Sequence, residues 1–314
     1  MLAVCLFDLS CFHKRSGVKK DVIITEKDII PEGLAYDAGS QTVYVSSTWK
    51  RKILAIDQEG HVSDFIRAEQ YGVKSIIGME VDRKRNCLWA VSSQARDVLP
   101  LMHADSLQWR SSVYQFNLPD GALIKEYPLN RDSVFLNDLT VGPGGKLYVT
   151  ESLQGGIFIL EPESEDSLSL FLQAPPYTFL NGICFAGSQG NLYVSSTEGI
   201  ISVNPDTKQY GLLPTAPGVD ARSIDGLSFY HGYFIAHQSK RIARLYFSAM
   251  EDSLVVADIL DSGPEFDSST TGELAEGAYW YIVNSQIRSG IDAGSGTVKP
   301  IDSLENIIIR KIIL

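Results

Sequence analysis

A short segment recurs six times along this chain of 314 residues, and at its first position stand Glu32, Ile77, Asn137, Asn181, Asp225 and Thr271. Each copy reads as an apolar strand, a turn, and a second strand with an aromatic near its start. The copies are EGLAYDAGSQTVYVSS, IGMEVDRKRNCLWAVSS, NDLTVGPGGKLYVTES, NGICFAGSQGNLYVSS, DGLSFYHGYFIAHQS and TGELAEGAYWYIVNS, the last two shorter in the turn. The six positions step by 45, 60, 44, 44 and 46 residues. A period of roughly 40 to 45 residues with several strands per unit marks a β-propeller, since one unit cannot cover its own apolar faces and must stack on its neighbours.

Two further strands follow in each unit, as in KILAIDQEG then HVSDFI, or GIFILEP then LSLFLQ. They are rich in Val, Ile, Leu, Tyr and Phe and are punctuated by turns such as PGG, QEG and PDG; helical periodicity is nowhere sustained. The expected fold is therefore all-β, a six-bladed propeller with four antiparallel strands per blade. The sixth repeat has its first two strands around Glu273 to Ser285, and NIIIRKIIL at the C-terminus supplies a third. DVIITEK, from Asp21 to Lys27, is the natural fourth, which would join the two ends of the chain in one blade and leave no open edge at the seam. Residues 21–314 then form one domain. Residues 1–20 read either as a truncated export signal or as a tail outside the blades: Leu2 to Phe7 is apolar, yet no basic residue precedes it. The first reading implies a periplasmic or extracellular protein, the second a cytoplasmic one.

A net charge of -11 with a pI near 4.9 disfavours nucleic acid and anionic membranes as partners, because both demand a basic surface. No stretch is apolar for eighteen or more residues, so no membrane span is expected. A small-molecule substrate is the expected partner, and the oligomeric state is left open. Cys5, Cys11, Cys87 and Cys184 form no CxxC pair and no ligand spacing with the histidines; Cys87 and Cys184 sit in apolar strand segments as small hydrophobes.

Propeller topology places each of the six marked residues just before the innermost strand of its blade, so their side chains converge at one end of the central channel. The loop from second to third strand lies on the same face, because strands alternate in direction. That loop is expected to be long only once, from about Gln94 to Arg110 in blade two, where QARDVLPLMHADSLQWR accounts for the 60-residue step. Its Leu101, Met102, His103 and Trp109 read as a lid or substrate wall.

Glu32, Asn137, Asn181 and Asp225 offer two carboxylates and two amide oxygens, a hard donor set suited to calcium, with magnesium, manganese or zinc as other divalent choices. Asn or Asp ahead of Gly is singly a common turn former, but four donors in register, one of them Glu, exceed what turn chemistry explains. A dication there could polarise a carbonyl or phosphoryl oxygen and activate water, which points to hydrolysis of an ester or lactone. Asp225 and Asp138 are the candidates for the proton; His237 and Glu151, at the ends of second strands, are further candidates at the channel face.

PEGLAYD, FLNDLTVGPGGKLYVTES, FLNGICF and IDGLSFYHGYFIA resemble the gluconolactonase, regucalcin and luciferin-regenerating-enzyme family of six-bladed propellers, related more distantly to paraoxonases and diisopropylfluorophosphatase. The likeness covers roughly Pro31 to Gln286. It implies metal ligands at Glu32, Asn137, Asn181 and Asp225, with Asp225 as base or nucleophile, and hydrolysis of lactones, aryl esters or phosphotriesters. Members acting on sugar lactones often carry Arg two residues before the Asn of the Asn-Asp pair, where this chain has Phe135. An apolar ring there implies a less hydroxylated ligand, in keeping with Met102, Trp109 and Phe179 at the mouth. The substrate-contacting candidates are thus Phe135, His103, Trp109 and His237. Two other readings compete: a non-catalytic propeller in which the metal only orders a ligand- or peptide-binding face, and a carbon-nitrogen bond-forming propeller like strictosidine synthase, which does not need the four ligands.

Overall fold

The structure is a computed structural model that describes residues 17–94 and 110–314, apart from 130, 132, 162, 164–166 and 189. Its strands form six four-stranded antiparallel sheets. The innermost strands are Leu34–Asp37, Ser75–Asp82, Leu136–Val141, Ile183–Ala186, Leu227–Tyr230 and Gly272–Ala275, each opening one of the six repeats. Five blades are built from consecutive strands. The sixth combines Gly272–Ala275, Ala278–Ile282 and Ile307–Ile313 with the N-terminal strand Lys19–Ile24, which pairs with Ile307–Ile313 from Lys19 opposite Ile312 to Ile24 opposite Ile307. The closing strand thus begins two residues before the expected Asp21 and ends sooner; Lys27–Ile29 is already a 3-10 turn.

Arg310 holds this seam. Its guanidinium grips both oxygens of Asp21 at 2.7 and 2.8 Å, and also donates to Glu265 at 2.8 Å and to the buried Asp261 at 3.1 Å. The bidentate geometry ties the N-terminal strand to the C-terminal one across almost the whole length of the chain.

The apolar core is divided into six clusters, one between each pair of neighbouring blades. The aromatic near the start of each second strand supplies its bulk: Tyr44, Trp89, Tyr148, Tyr193, Phe234 and Tyr279 are all buried. Each blade buries its faces on its neighbours, as the repeat required. Cys87 belongs to the cluster between blades two and three, whereas Cys184 also faces the axial cavity. Among the described residues no helix is long and apolar enough to cross a membrane.

Candidate metal centre

The recurring position meets at the axis because a glycine follows it in five of the six copies. These glycines lack the positive φ of a turn. What they permit is close approach: a Cβ on Gly182 would lie 2.5 Å from the carbonyl oxygen of Asp225, and one on Gly33 1.9 Å from that of Ile77. The turn explanation of the Asn-Gly and Asp-Gly pairs therefore fails here. Hydroxyls at the ends of two second strands, and one just before the inner strand of blade six, stitch the same ring together. Ser46 donates to the Ile77 carbonyl at 3.1 Å, Thr150 to that of Asn181 at 2.8 Å, and Thr270 to that of Glu32 at 2.9 Å. Two residues before Glu32, Asn181 and Asp225, the chain passes through left-handed backbone at Ile30, Phe179 and Ser223, with φ of 44, 50 and 53°. Strain of this kind persists only where packing enforces it, and here it aims three of the four donors inward.

Glu32, Asn137, Asn181 and Asp225 line one small cavity together with Ile77, Asp138 and Thr271. Its volume is about 10 Å³, the space of a single water or bare ion. Asn137 donates through Nδ2 to Ser152 Oγ at 3.0 Å, and Asn181 through Nδ2 to Asp225 Oδ1 at 2.8 Å, which leaves both amide oxygens for the cavity. Oε2 of Glu32 is buried without any hydrogen-bond partner. Burial, and then the charges of Asp225 and Asp138, hold the Glu32 carboxyl well above its ordinary range. Burial likewise pushes Asp225 up to about 6, against the opposing charge of Arg288 and the Asn181 hydrogen bond. An orphaned carboxylate oxygen, two raised acids and free amide oxygens around an ion-sized space fit a divalent cation with oxygen preference.

The other sequence candidates divide. Asp138 stands where the other five copies carry glycine, and it lines both this cavity and a larger axial cavity of about 270 Å³ below it. One of its oxygens accepts the Leu139 N–H at 2.9 Å, and burial raises its carboxyl to about 7. His237 is completely buried between blades five and six, with Nδ1 2.9 Å from Ser269 Oγ and Nε2 2.9 Å from Tyr279 Oη. It serves the cradle through its backbone, which exchanges hydrogen bonds with Asp225 and Gly226. The Glu151 carboxylate is taken up by the N–H groups of Phe135, Leu153 and Gln154. Phe135 is buried in the cluster between blades two and three rather than exposed at the mouth, whereas Phe179 is exposed. His103, Trp109 and the rest of the blade-two insertion lie outside the described residues; its paired ends, Gln94 and Arg110, leave the sheet on the face of the cradle.

Three features escaped the sequence. Residues 283–306 form a second long connection from second to third strand, in blade six, so the expectation of a single long loop on this face is wrong. An insertion is visible as a lengthened step to the next repeat, and the last repeat has no successor. This arm reaches past blade one: Ile287 packs against the cluster that holds Ile77 and Phe135. Beside it, the charge of Arg288 acts on both Glu32 and Asp225. The third feature is a pair of acids in the axial cavity, Glu80 and Glu273, raised by burial to about 8 and about 7. Their signal was a charge inside the inner strands of IGMEVD and TGELA.

Asp57, Glu59 and His61 bring three potential ligand groups together in a turn of blade one, but all three are exposed and Asp57 is engaged by His61.

No protein-family model matches the sequence, and no curated protein matches it. Solved structures do match. A gluconolactonase from Xanthomonas campestris aligns with 94% of this chain and 90% of its own length, at a TM-score of 0.63 and 14% identity. The chain shares its fold with a gluconolactonase. The major Malassezia sympodialis allergen Mala s 1 aligns at a TM-score of 0.70 and 12% identity over 93% of this chain and 95% of its own. A putative oxidoreductase (glucose dehydrogenase) from Thermus thermophilus aligns at 0.64 and 15% identity over 94% and 100%. At these identities the likeness is one of fold, and proteins of different function share it.

Proposed function

We propose that this protein is a divalent-cation-dependent hydrolase of a small lactone or ester, with calcium as the preferred ion. The observation that carries the reading is Glu32 Oε2, a buried carboxylate oxygen with no partner, in an ion-sized cavity shared with Asn137, Asn181 and Asp225. A bare acid pair in that position is costly, and burial raises both carboxyls above their ordinary range. A fold shared with a gluconolactonase supports the reaction class.

A divalent cation held by Glu32, Asn137, Asn181 and Asp225 would supply polarisation of the substrate carbonyl and charge stabilisation as that oxygen becomes anionic. The protein's own groups do the rest. Asp225 Oδ1 is oriented by Asn181 Nδ2, so its other oxygen is left to take the proton of the attacking water. Asp138, between the cradle and the axial cavity, takes that proton onward or serves as the base itself. His237 keeps the Asp225 backbone in place and exchanges no proton with substrate. Ile77 and Thr271 complete the ring without charge and leave room for water and substrate.

A panel of lactones and aryl esters, assayed with added calcium and again after chelation, tests the reading. Turnover of at least one that disappears with chelator and returns with calcium is the expected result. A panel without chelator-sensitive turnover leaves the non-catalytic binding propeller in its place.

A further inference from the structure

The arm at residues 283–306 brings a cation to the cradle, and it is built to hold it there. Gln286 pairs with Glu305 in both directions, at 2.9 and 2.8 Å. Asn284 accepts from the Ile308 N–H at 2.7 Å and donates to the Asn306 carbonyl at 2.8 Å, and the Gly290 N–H closes on the Gln286 carbonyl at 2.7 Å. Ile287 is packed into the apolar cluster of blades two and three. The next residue, Arg288, is exposed, and among the described residues its guanidinium has no hydrogen-bond or ion-pair partner. It is near enough for its charge to act on Glu32 and Asp225, yet it is in contact with neither.

We infer that Arg288 anchors an anionic group of the substrate, a carboxylate in particular, so that this site takes acidic esters or lactones. The inference rests on the proposed hydrolase for the reaction but not for the binding. Glu32 and Asp225 would offset the charge of a dication, and Arg288 would be left beside them as a positive charge with no ion-pair partner among the described residues of an otherwise acidic protein. A guanidinium presents a planar fork of donors that matches a carboxylate with two parallel hydrogen bonds. The arm's backbone on either side of it is already pinned, so binding has only the side chain left to order. Its exposure places it against a substituent of the substrate rather than over the reacting carbonyl.

The protein with calcium present and its Arg288→Gln and Arg288→Lys variants are compared on p-nitrophenyl acetate and mono-p-nitrophenyl succinate. For Arg288→Gln, KM for the succinate ester should rise about tenfold or more with kcat little changed, the loss of a charge-assisted bidentate contact, while the acetate is unaffected. Arg288→Lys should recover part of the loss. An equal loss on both esters, or none on either, overturns the anchor. Calorimetric titration of monomethyl succinate, with calcium present, gives a readout free of turnover. If the parent protein hydrolyses neither ester but binds this anion and Arg288→Gln does not, the hydrolase reading fails and the anchor stands; absent or equal binding overturns the anchor.

Discussion

At the residue scale, Glu32 is the one carboxylate among the described residues with a buried oxygen left unpartnered. A buried polar atom without a partner costs about 1–3 kcal/mol, and more when charged. The cradle accepts that cost next to a second raised acid, Asp225, which is intelligible if a cation normally settles both. Calcium should therefore raise the melting temperature, by about 2.7 kcal/mol of added stability at a hundredfold excess over Kd. Asn181→Ala should remove most of that rise, because it deletes one donor and also the hydrogen bond that orients Asp225. A rise unchanged in the variant, followed by thermal denaturation, would remove Asn181 from the site. Both acids must lose their protons to receive a cation and both are raised, so binding should weaken as pH falls, and by about 6, the value to which Asp225 is raised, the loss should be evident. At this scale the four donors were legible because they share one register position. The fates of His237 and Glu151 were not, because which groups a side chain bonds depends on neighbours brought in by packing.

At the scale of elements, five of the six inner strands approach their neighbours at the axis through a glycine with no side chain to intervene. Gly182→Ala would press a methyl group onto the Asp225 carbonyl, at 2.5 Å, and onto the Leu227 amide nitrogen at 2.6 Å. Backbone atoms cannot rotate away as a flexible side chain can. The variant should lose about 2 kcal/mol or more in urea unfolding, the scale of overpacking in a tight core. Gly211, in the outer strand Tyr210–Leu212, has open space for 4 Å around the position a methyl group would take and no positive φ, so Gly211→Ala should be neutral or slightly stabilising. Equal stability in the two variants would refute the close-approach account. The sequence displayed the glycines openly. Their purpose was hidden, since a glycine before a strand looks the same whether it relieves a turn or admits a neighbouring blade.

The whole molecule adds an axis that no single blade reveals. Glu80 and Glu273 come from blades two and six and face one another's charge in the axial cavity. Burial lifts Glu80 from its ordinary 4.5 to about 8 and Glu273 to about 7. A carboxyl whose folded pKa exceeds its unfolded one stabilises the fold fully at low pH and loses that contribution as pH rises through the folded value. With chelator present, the melting temperature should fall between about pH 5 and pH 8, and Glu80→Gln should flatten that slope and melt a few degrees higher at pH 8. A steeper fall in the variant, or no difference at pH 8, would show that Glu80 is ionised and comfortable in the fold.

Periodicity alone determined the six blades, the strand that closes them and the ring of donors, because repeated stacking demands that equivalent positions meet around one axis. The tertiary structure decided what periodicity cannot encode. It turned the final repeat's arm across the mouth, paired Asn181 with Asp225, withdrew Phe135 and His237 into the core, and set Glu80 against Glu273. Each of these depends on contacts between residues far apart in the chain, and such contacts exist only once the ring has closed and brought them within a few ångströms of each other.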